Sequence, residues 1–247
     1  MVGLCSRPLN ALSVILRDLV AKNGSGVQLR GGVPLRLGGE QVSSGSMVIR
    51  AALIDMDGTI WETPVRMSAV REELGLTQDG RTILDGIAEL PLSEQERAVQ
   101  VLRAHEREGV ERGYLRPGAH ELLDFLRARG VKRALVTNNS RESTDAVLAL
   151  HKLSFDLVCT RDDGPLKPDP QAFLLPLAGW GFAPEEALVI GDSHFDLQAA
   201  VAAGIERVVL VQPADWMRLH FPPGAAHHEV ADLREARTVI GRLLDGK

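Results

Sequence analysis

The stretch that decides the fold is VIRAALIDMDGTI, residues 48–60. It is a mostly apolar run up to Ile54 that passes directly into Asp55. An apolar run without alternation predicts a strand that is buried on both faces, as in a parallel sheet covered by helices. Because ligands bind outside the carboxyl ends of such strands, the acidic residues that follow this strand are candidates for chemistry.

The rest of the chain repeats the same design. Apolar runs predict further strands at 131–136, 155–159, 187–190 and 207–211, and helical patterns separate them at 117–129, 140–150, 169–179, 194–203, 213–220 and 233–244. Strands that alternate with helices predict an α/β fold with a parallel sheet between two helical layers. Residues 61–114 interrupt this order, because they are polar and predict two short helices, at 68–74 and 93–109.

The first 46 residues have a pattern of their own. Residues 12–19 carry the apolar stripe of a short helix, residues 27–37 read as a hairpin, and residues 43–46 read as a linker. We therefore divide the chain into an extension at 1–46, a main domain at 47–60 and 115–247, and an insertion at 61–114. The extension docks on the main domain, binds a partner, or is disordered.

Composition excludes several classes of protein. The chain has 247 residues, a formal net charge of −5 and two cysteines. A nucleic-acid-binding domain is usually basic, so this charge disfavours one. Two cysteines in different contexts disfavour a disulfide scaffold or a cysteine zinc site. No apolar run reaches the roughly 20 residues of a membrane span. We therefore expect a cytoplasmic protein that binds neither nucleic acid nor membrane.

Three predicted strands end on polar residues, which are Asp55, Thr137 and Asp192. If these strands are neighbours, two carboxylates and a hydroxyl converge on one crevice. Asp57 follows Asp55 by two positions, and Gly58 allows the backbone to turn closely against a ligand. Mg²⁺ prefers a few carboxylates together with water and substrate phosphate. The sequence therefore predicts a magnesium site at this edge of the sheet.

Each of these residues has a simpler interpretation. Asp-x-Asp-Gly is a common turn sequence, and Thr137 would serve as the N-cap of the next helix. Lys167 would be a solvated loop lysine. Asp196 would be an acid in the first turn of a helix, favoured there by the helix dipole. His194 beside it would cap the helix or face solvent.

Four segments together resemble the motifs of the haloacid dehalogenase-like (HAD) phosphohydrolase superfamily. These are residues 48–60, ALVTNN at 134–139, LKPDP at 166–170 and VIGDSHFD at 189–196. They occur in the family's order and cover about residues 47–245. The resemblance implies a Rossmannoid three-layer core with a small helical cap of the C1 type at 61–114. The resemblance is strongest to phosphoglycolate phosphatase-like members.

The resemblance also implies roles for the carboxylates. Asp55 would be the nucleophile that forms an aspartyl-phosphate. Asp57 would act as general acid and then as general base. Mg²⁺, the implied cofactor, would be held by the Asp55 carboxylate, the Asp57 backbone carbonyl and Asp192.

Further residues would bind the phosphoryl group or support the site. Thr137 and Lys167 would act in catalysis and, with Gly58 and Asn138, bind phosphoryl oxygens. Asp196 would support Lys167 or the metal from behind.

The family contains several activities, and the residues favour phosphoryl chemistry. Dehalogenases of the family lack the second aspartate, which is present here as Asp57. Phosphonatases use a cap lysine, and residues 61–116 contain none. We therefore expect a phosphatase acting on a small phosphorylated metabolite, whose leaving group would be read by cap residues such as Arg66 and Arg81. A phosphomutase acting on a sugar phosphate, or an interaction module that uses residues 1–46, are the alternatives.

Overall fold

The computed structural model describes residues 48–246, and the prediction for residues 1–46 lies outside them. The α/β fold class is confirmed. In chain order the strands are β1 Ala51–Ile54, β2 Trp61–Glu62, β3 Tyr114–Leu115, β4 Lys132–Val136, β5 Leu157–Cys159, β6 Ala187–Gly191, β7 Arg207–Val211 and β8 His228–Val230. Six of them form one sheet, in the order β5-β4-β1-β6-β7-β8, and every pair in it is parallel.

β1 lies in the middle of this sheet, with β4 on one side and β6 on the other. Ile54 pairs with Leu135 of β4 and with Ile190 of β6, so the three strands end at the same edge. The chain continues outwards in both directions from β1, which makes this edge the topological switch point of the sheet. The sheet order therefore places the ends of the three predicted strands next to one another.

Both faces of the sheet are buried, which explains why β1 is apolar throughout. Ala52 and Ile54 belong to one hydrophobic cluster, and Ala51 and Leu53 belong to a second. Successive side chains of a strand point to opposite faces. A leucine such as Leu53 that is fully buried contributes roughly 1.5–3 kcal/mol relative to an exposed one. β1 is therefore anchored strongly from both sides.

The helices among residues 48–246 largely follow the predicted pattern. They are α1 Met67–Glu73, α2 Ile83–Ala88, α3 Leu92–Arg112, α4 Ala119–Ala128, α5 Arg141–Leu150, α6 Gln171–Trp180, α7 His194–Ala203, α8 Asp215–Arg218 and α9 Leu233–Leu244. None of them has the length and apolar character that crossing a bilayer requires. Most predicted ends agree with the observed ones within two residues, which is the usual uncertainty of a helix end.

α1, α2 and α3 form the insertion between β2 and β3. They have a small hydrophobic cluster of their own, built from Val70, Ile87, Ala98 and Leu102. We call residues 61–114 the cap from here on. The sequence analysis missed α2, whose pattern is short and contains a glycine.

Strand β8 is not predicted from the sequence either. Its residues His228 and Glu229 are exposed, and only Val230 is buried. An edge strand of three residues with polar side chains has no apolar run that would reveal it. The strand extends the sheet beyond β7 and lies away from the switch point.

Candidate active site

A buried lysine and two carboxylates form the centre of the site. Lys167 Nζ donates hydrogen bonds to Asp55 Oδ1 at 2.5 Å and to Asp196 Oδ1 at 2.7 Å. The Asp55 backbone N–H donates to the Ile190 carbonyl at 2.9 Å, which holds Asp55 directly beyond β1. Lys167 is only 3% exposed, so the interpretation as a solvated loop lysine is wrong.

Asn138 fixes the backbone of Lys167 from both sides. Its Nδ2 donates to the Lys167 carbonyl at 2.7 Å, and its Oδ1 accepts from the Lys167 N–H at 2.9 Å. The side chain thereby joins the loop after β4 to the loop that carries the lysine. Binding of phosphate by Asn138 stays a prediction. Its side chain is occupied by Lys167, so the group that would bind phosphate is its backbone N–H.

Asp196 accepts hydrogen bonds from both Lys167 and Ser193. Its Oδ1 accepts from Lys167, while its Oδ2 accepts from the Ser193 N–H at 3.2 Å and from Ser193 Oγ at 2.6 Å. The contact with Ser193 closes a capping box at the start of α7. A Cβ on Gly191 would lie 2.3 Å from Asp196 Cγ, so only glycine leaves room for this carboxylate.

Asp57 faces the end of β4. Asn139 Nδ2 donates to both of its carboxylate oxygens, at 3.0 and 3.2 Å, and Thr137 Oγ1 donates to Oδ2 at 3.4 Å. The interpretation of Thr137 as a helix N-cap is wrong, because Ser140 occupies that position on α5. The sequence analysis did not single out Asn139. The only signal was its place as the second of two consecutive asparagines after a buried strand.

Three carboxylates converge into a group that can hold a cation. One oxygen each from Asp55, Asp192 and Asp196 lies within 4.8 Å of the others. Gly58 has a φ of +78°, and a Cβ there would lie 2.1 Å from Asp192 Oδ2, so glycine makes the room for this carboxylate. A set of hard oxygen ligands suits Mg²⁺. The Asp57 carboxylate is not part of this group, and its predicted contribution is through the backbone carbonyl.

Burial and mutual repulsion disfavour ionisation of these acids. Burial raises the pKa of Asp55 to about 7, against the attraction of Lys167. Burial also raises the pKa of Asp192, and the charge of Asp55 adds to this. Burial alone would lower the pKa of Lys167, but Asp196 and Asp55 raise it, so the lysine stays charged. One lysine among three carboxylates leaves an excess of negative charge, which a divalent cation would neutralise.

Asp57 lines a separate small cavity that reaches under the cap. Burial raises the pKa of Asp57, while the hydrogen bond from Asn139 opposes this. The cavity is narrow, with a volume of about 30 Å³, and is partly open to solvent. Its other walls come from the segment after β1, from α1, from α3 and from α5. The carboxylate of Asp57 therefore faces the side of the site that the cap covers.

Two contacts tie the cap to the main domain, and the first of them lies at this cavity. Glu106 of α3 pairs through both oxygens with the guanidinium of Arg161, with one contact of 3.0 Å, and accepts from Ser140 Oγ at 3.0 Å. Its side chain is 7% exposed. His194 at the start of α7 lies with Nε2 at 2.8 Å from the Gly80 carbonyl of the cap and is fully buried. The interpretation of His194 as a solvent-facing or capping residue is therefore wrong.

Arg81, a candidate for substrate recognition, is engaged within the cap. Its guanidinium pairs with Asp79 at 2.7 Å and with Glu89. Its role in reading a substrate stays a prediction, and so does that of Arg66.

Comparison with known proteins places the chain in a family. A family model described as haloacid dehalogenase-like hydrolase matches residues 65–204, more than half of the chain. A haloacid dehalogenase-like hydrolase domain-containing protein of Arabidopsis thaliana is 28% identical over 60% of this chain, which spans 64% of the plant protein, less than two thirds of its length. A phosphoglycolate phosphatase of Pseudomonas putida is 30% identical. The match covers 70% of this chain and 73% of the bacterial protein.

A solved structure extends the likeness to three dimensions. The crystal structure of a putative beta-phosphoglucomutase from Thermotoga maritima aligns with a TM-score of 0.57 and 27% identity. The alignment covers 78% of this chain and 99% of that one. The likeness therefore extends over nearly the whole length of that relative.

Proposed function

The chain belongs to the haloacid dehalogenase-like hydrolases, and from its site we propose that it is a Mg²⁺-dependent phosphatase of a small phosphomonoester, acting through an aspartyl-phosphate. The observation that carries the proposal is the placement of two carboxylates with different surroundings. Asp55 is held by Lys167 beside the carboxylate group, and Asp57 is held by Asn139 beside the cavity under the cap. Two acids in different environments suit two different roles.

In the first half of the reaction, a carboxylate oxygen of Asp55 attacks phosphorus. The new bond joins Asp55 to the phosphoryl group, and the bond from phosphorus to the substrate oxygen breaks. Protonated Asp57 donates its proton to the departing oxygen, which leaves as an alcohol. The hydrogen bonds from Asn139 and Thr137 hold the Asp57 carboxylate in place for this transfer.

In the second half, water replaces the alcohol. Asp57, now ionised, accepts a proton from the water as its oxygen bonds to phosphorus. The bond between phosphorus and Asp55 breaks, so inorganic phosphate and the free carboxylate are regenerated. Dividing the hydrolysis into two displacements replaces one difficult step with two easier ones.

The remaining predicted residues supply charge and shape. The Asp55 and Asp192 carboxylates and the Asp57 backbone carbonyl would hold Mg²⁺, which shields the phosphate charge from the anionic nucleophile. Lys167 contributes a second, permanent positive charge. Thr137, Gly58 and the backbone beside Asn138 would bind phosphoryl oxygens. The cap would cover the site, which excludes bulk water and favours small substrates.

The test is phosphate release from a panel of small phosphomonoesters with Mg²⁺, using the wild type and Asp55→Asn. We expect a loss of at least about 10³-fold in the variant, because the asparagine amide cannot form the covalent intermediate. Asp124→Asn, at an exposed position of α4, is the matched control and keeps wild-type rates. A chelator is expected to abolish the activity. Unchanged turnover in Asp55→Asn would contradict the proposal.

A phosphomutase is the second candidate, and it is supported by the likeness to the putative beta-phosphoglucomutase. A mutase must protect its aspartyl-phosphate from water, and residues of the cap line the Asp57 side of the site. Isomerisation of a sugar phosphate without net release of phosphate would favour this candidate. Rapid release from several unrelated esters would exclude it.

A further inference from the structure

We infer that the substrate's leaving group is an uncharged alcohol, and that Glu106 selects against leaving groups that carry a second negative charge. The inference rests on the proposed phosphatase function and specifies its substrate class. It depends on where the leaving group must lie and on which charges meet it there.

The leaving group lies on the Asp57 side of the site. A general acid must come within hydrogen-bond reach of the oxygen that it protonates. Asp57 lines the cavity under the cap, so the alcohol attached to that oxygen enters this space. The remaining residues that line the cavity are Trp61, Thr63, Val65, Met67, His105, Glu106, Gly109, Val110, Asn139 and Val147.

The walls of this cavity offer no free positive charge. No lysine or arginine is among its lining residues in the described part of the chain. His105 is the one lining side chain that can become cationic, and its Nε2 already contacts Glu73 Oε2 at 2.7 Å. The guanidinium of the nearby Arg161 already pairs with both oxygens of Glu106. A carboxylate or second phosphate on the leaving group would therefore lack a partner.

Two carboxyl groups face the same space, and the negative charge there is that of Glu106, because Asp57 is protonated when it acts as general acid. Glu106 and Asp57 both line the cavity, where the Glu106 side chain is 7% exposed and Asp57 is half-buried. Like charges repel more strongly in such a setting than in water. A hydroxyl group, by contrast, can donate to a Glu106 oxygen as Ser140 Oγ does. The charges therefore favour a neutral, hydroxyl-bearing leaving group.

Contacts with the main domain fix the position of Glu106 at the cavity wall. Glu106 belongs to the cap, whereas its partners Ser140 and Arg161 belong to the main domain. The cavity is partly open to solvent, so a leaving group can enter it beside this carboxylate. An anionic group is repelled there, whereas a neutral one is not.

The first test compares two substrates that differ only in this charge. Glycerol 3-phosphate and 3-phosphoglycerate have the same three carbons, and a hydroxymethyl group in the first replaces a carboxylate in the second. We expect the wild type, with Mg²⁺, to show at least a tenfold higher kcat/KM for glycerol 3-phosphate. An equal or higher value for 3-phosphoglycerate would overturn the inference.

The second test changes the charge of the cavity. Glu106→Gln removes one negative charge and frees Arg161, so the preference is expected to fall at least tenfold. Glu94→Gln, at an exposed position of α3, is the control and keeps the wild-type preference. Retention of the full preference by folded Glu106→Gln would show that Glu106 does not select.

A third variant does not depend on the buried ion pair. Met67 lines the cavity and is 42% exposed, so a longer polar side chain fits there without disturbing the core. Met67→Lys is expected to raise the relative kcat/KM for 3-phosphoglycerate about tenfold over Met67→Gln, which matches its shape without the charge. Equal preferences in the two variants would contradict the inference.

The same assay distinguishes failure of the proposed phosphatase function from failure of the leaving-group selection. Absence of phosphate release from both esters and from p-nitrophenyl phosphate, in folded protein with Mg²⁺, would overturn the proposed phosphatase function and this inference with it. Release of phosphate with a preference for the carboxylate ester would overturn this inference alone.

Discussion

The ion pairs at the strand ends and those of the cap are held in different ways. Lys167 and Asp55 are 112 residues apart in sequence, and both are buried where they meet. Arg81 pairs with Asp79 and Glu89, which lie two and eight residues away on the exposed side of the cap. The first contact requires the whole sheet to be assembled, whereas the second needs only a local turn and one short helix.

The two kinds of ion pair differ in how much they stabilise the regions that contain them. Burying charges is costly unless each has a partner, so the pairs at the strand ends hold their atoms in one geometry. Exposed pairs are screened by water and contribute little. The cap's cluster of four buried apolar residues is small beside the two clusters that flank the sheet. We conclude that burial holds the contacts at the strand ends in place, whereas the exposed ion pairs within the cap add little to its stability.

The largest expected effect concerns Asp57. Asp57→Asn should lower kcat by about 10² to 10⁴-fold for alkyl phosphates, because the alcohol then leaves without a proton. The loss should be much smaller for p-nitrophenyl phosphate, whose leaving group is stable as an anion. Steady-state rates on both substrates check this. The same loss on both substrates would contradict the role of Asp57 as the general acid that protonates the leaving oxygen.

The next effect compares the ion pairs directly through stability. Lys167→Met should lower the free energy of unfolding by about 3–5 kcal/mol in the presence of a chelator, because Asp55 and Asp196 lose their buried counter-charge. Arg81→Met, which removes the exposed pairs of the cap, should leave the denaturation midpoint almost unchanged. Urea unfolding followed by circular dichroism measures both variants. Equal losses would abolish the distinction between buried and exposed pairs.

The smallest effect concerns the start of α2 in the cap. Thr82 Oγ1 accepts from the Asp85 N–H at 3.1 Å, and the Asp85 carboxylate accepts from the Thr82 N–H at 3.1 Å. Thr82→Ala should lower the free energy of unfolding by about 1 kcal/mol, the usual contribution of a helix N-cap. Thr77→Ala, which removes only an exposed hydrogen bond to Asp79, is the control. Thermal unfolding measures both, and a loss in Thr82→Ala as large as that in Lys167→Met would show that the cap is as tightly built as the site.

Much of the site could be predicted because strand ends are visible in sequence. Asp55, Thr137 and Asp192 each follow an apolar run, and a parallel sheet brings the ends of adjacent strands together. The division of labour between Asn138 and Asn139 could not be predicted. The two are adjacent and identical, and only the loop geometry directs one to the Lys167 backbone and the other to Asp57.

The sequence alone determined the α/β class and the positions of most strands and helices, because the burial of apolar runs and helical periodicity are local properties. It also determined which acids follow the strands, whereas a role for Lys167 came only from the resemblance of residues 166–170 to a family motif. The tertiary structure decided that Lys167 is buried between Asp55 and Asp196, and that Glu106 closes on Arg161 beside Asp57. These contacts join residues far apart in the chain, and their energies depend on burial and distance, neither of which is encoded in local pattern.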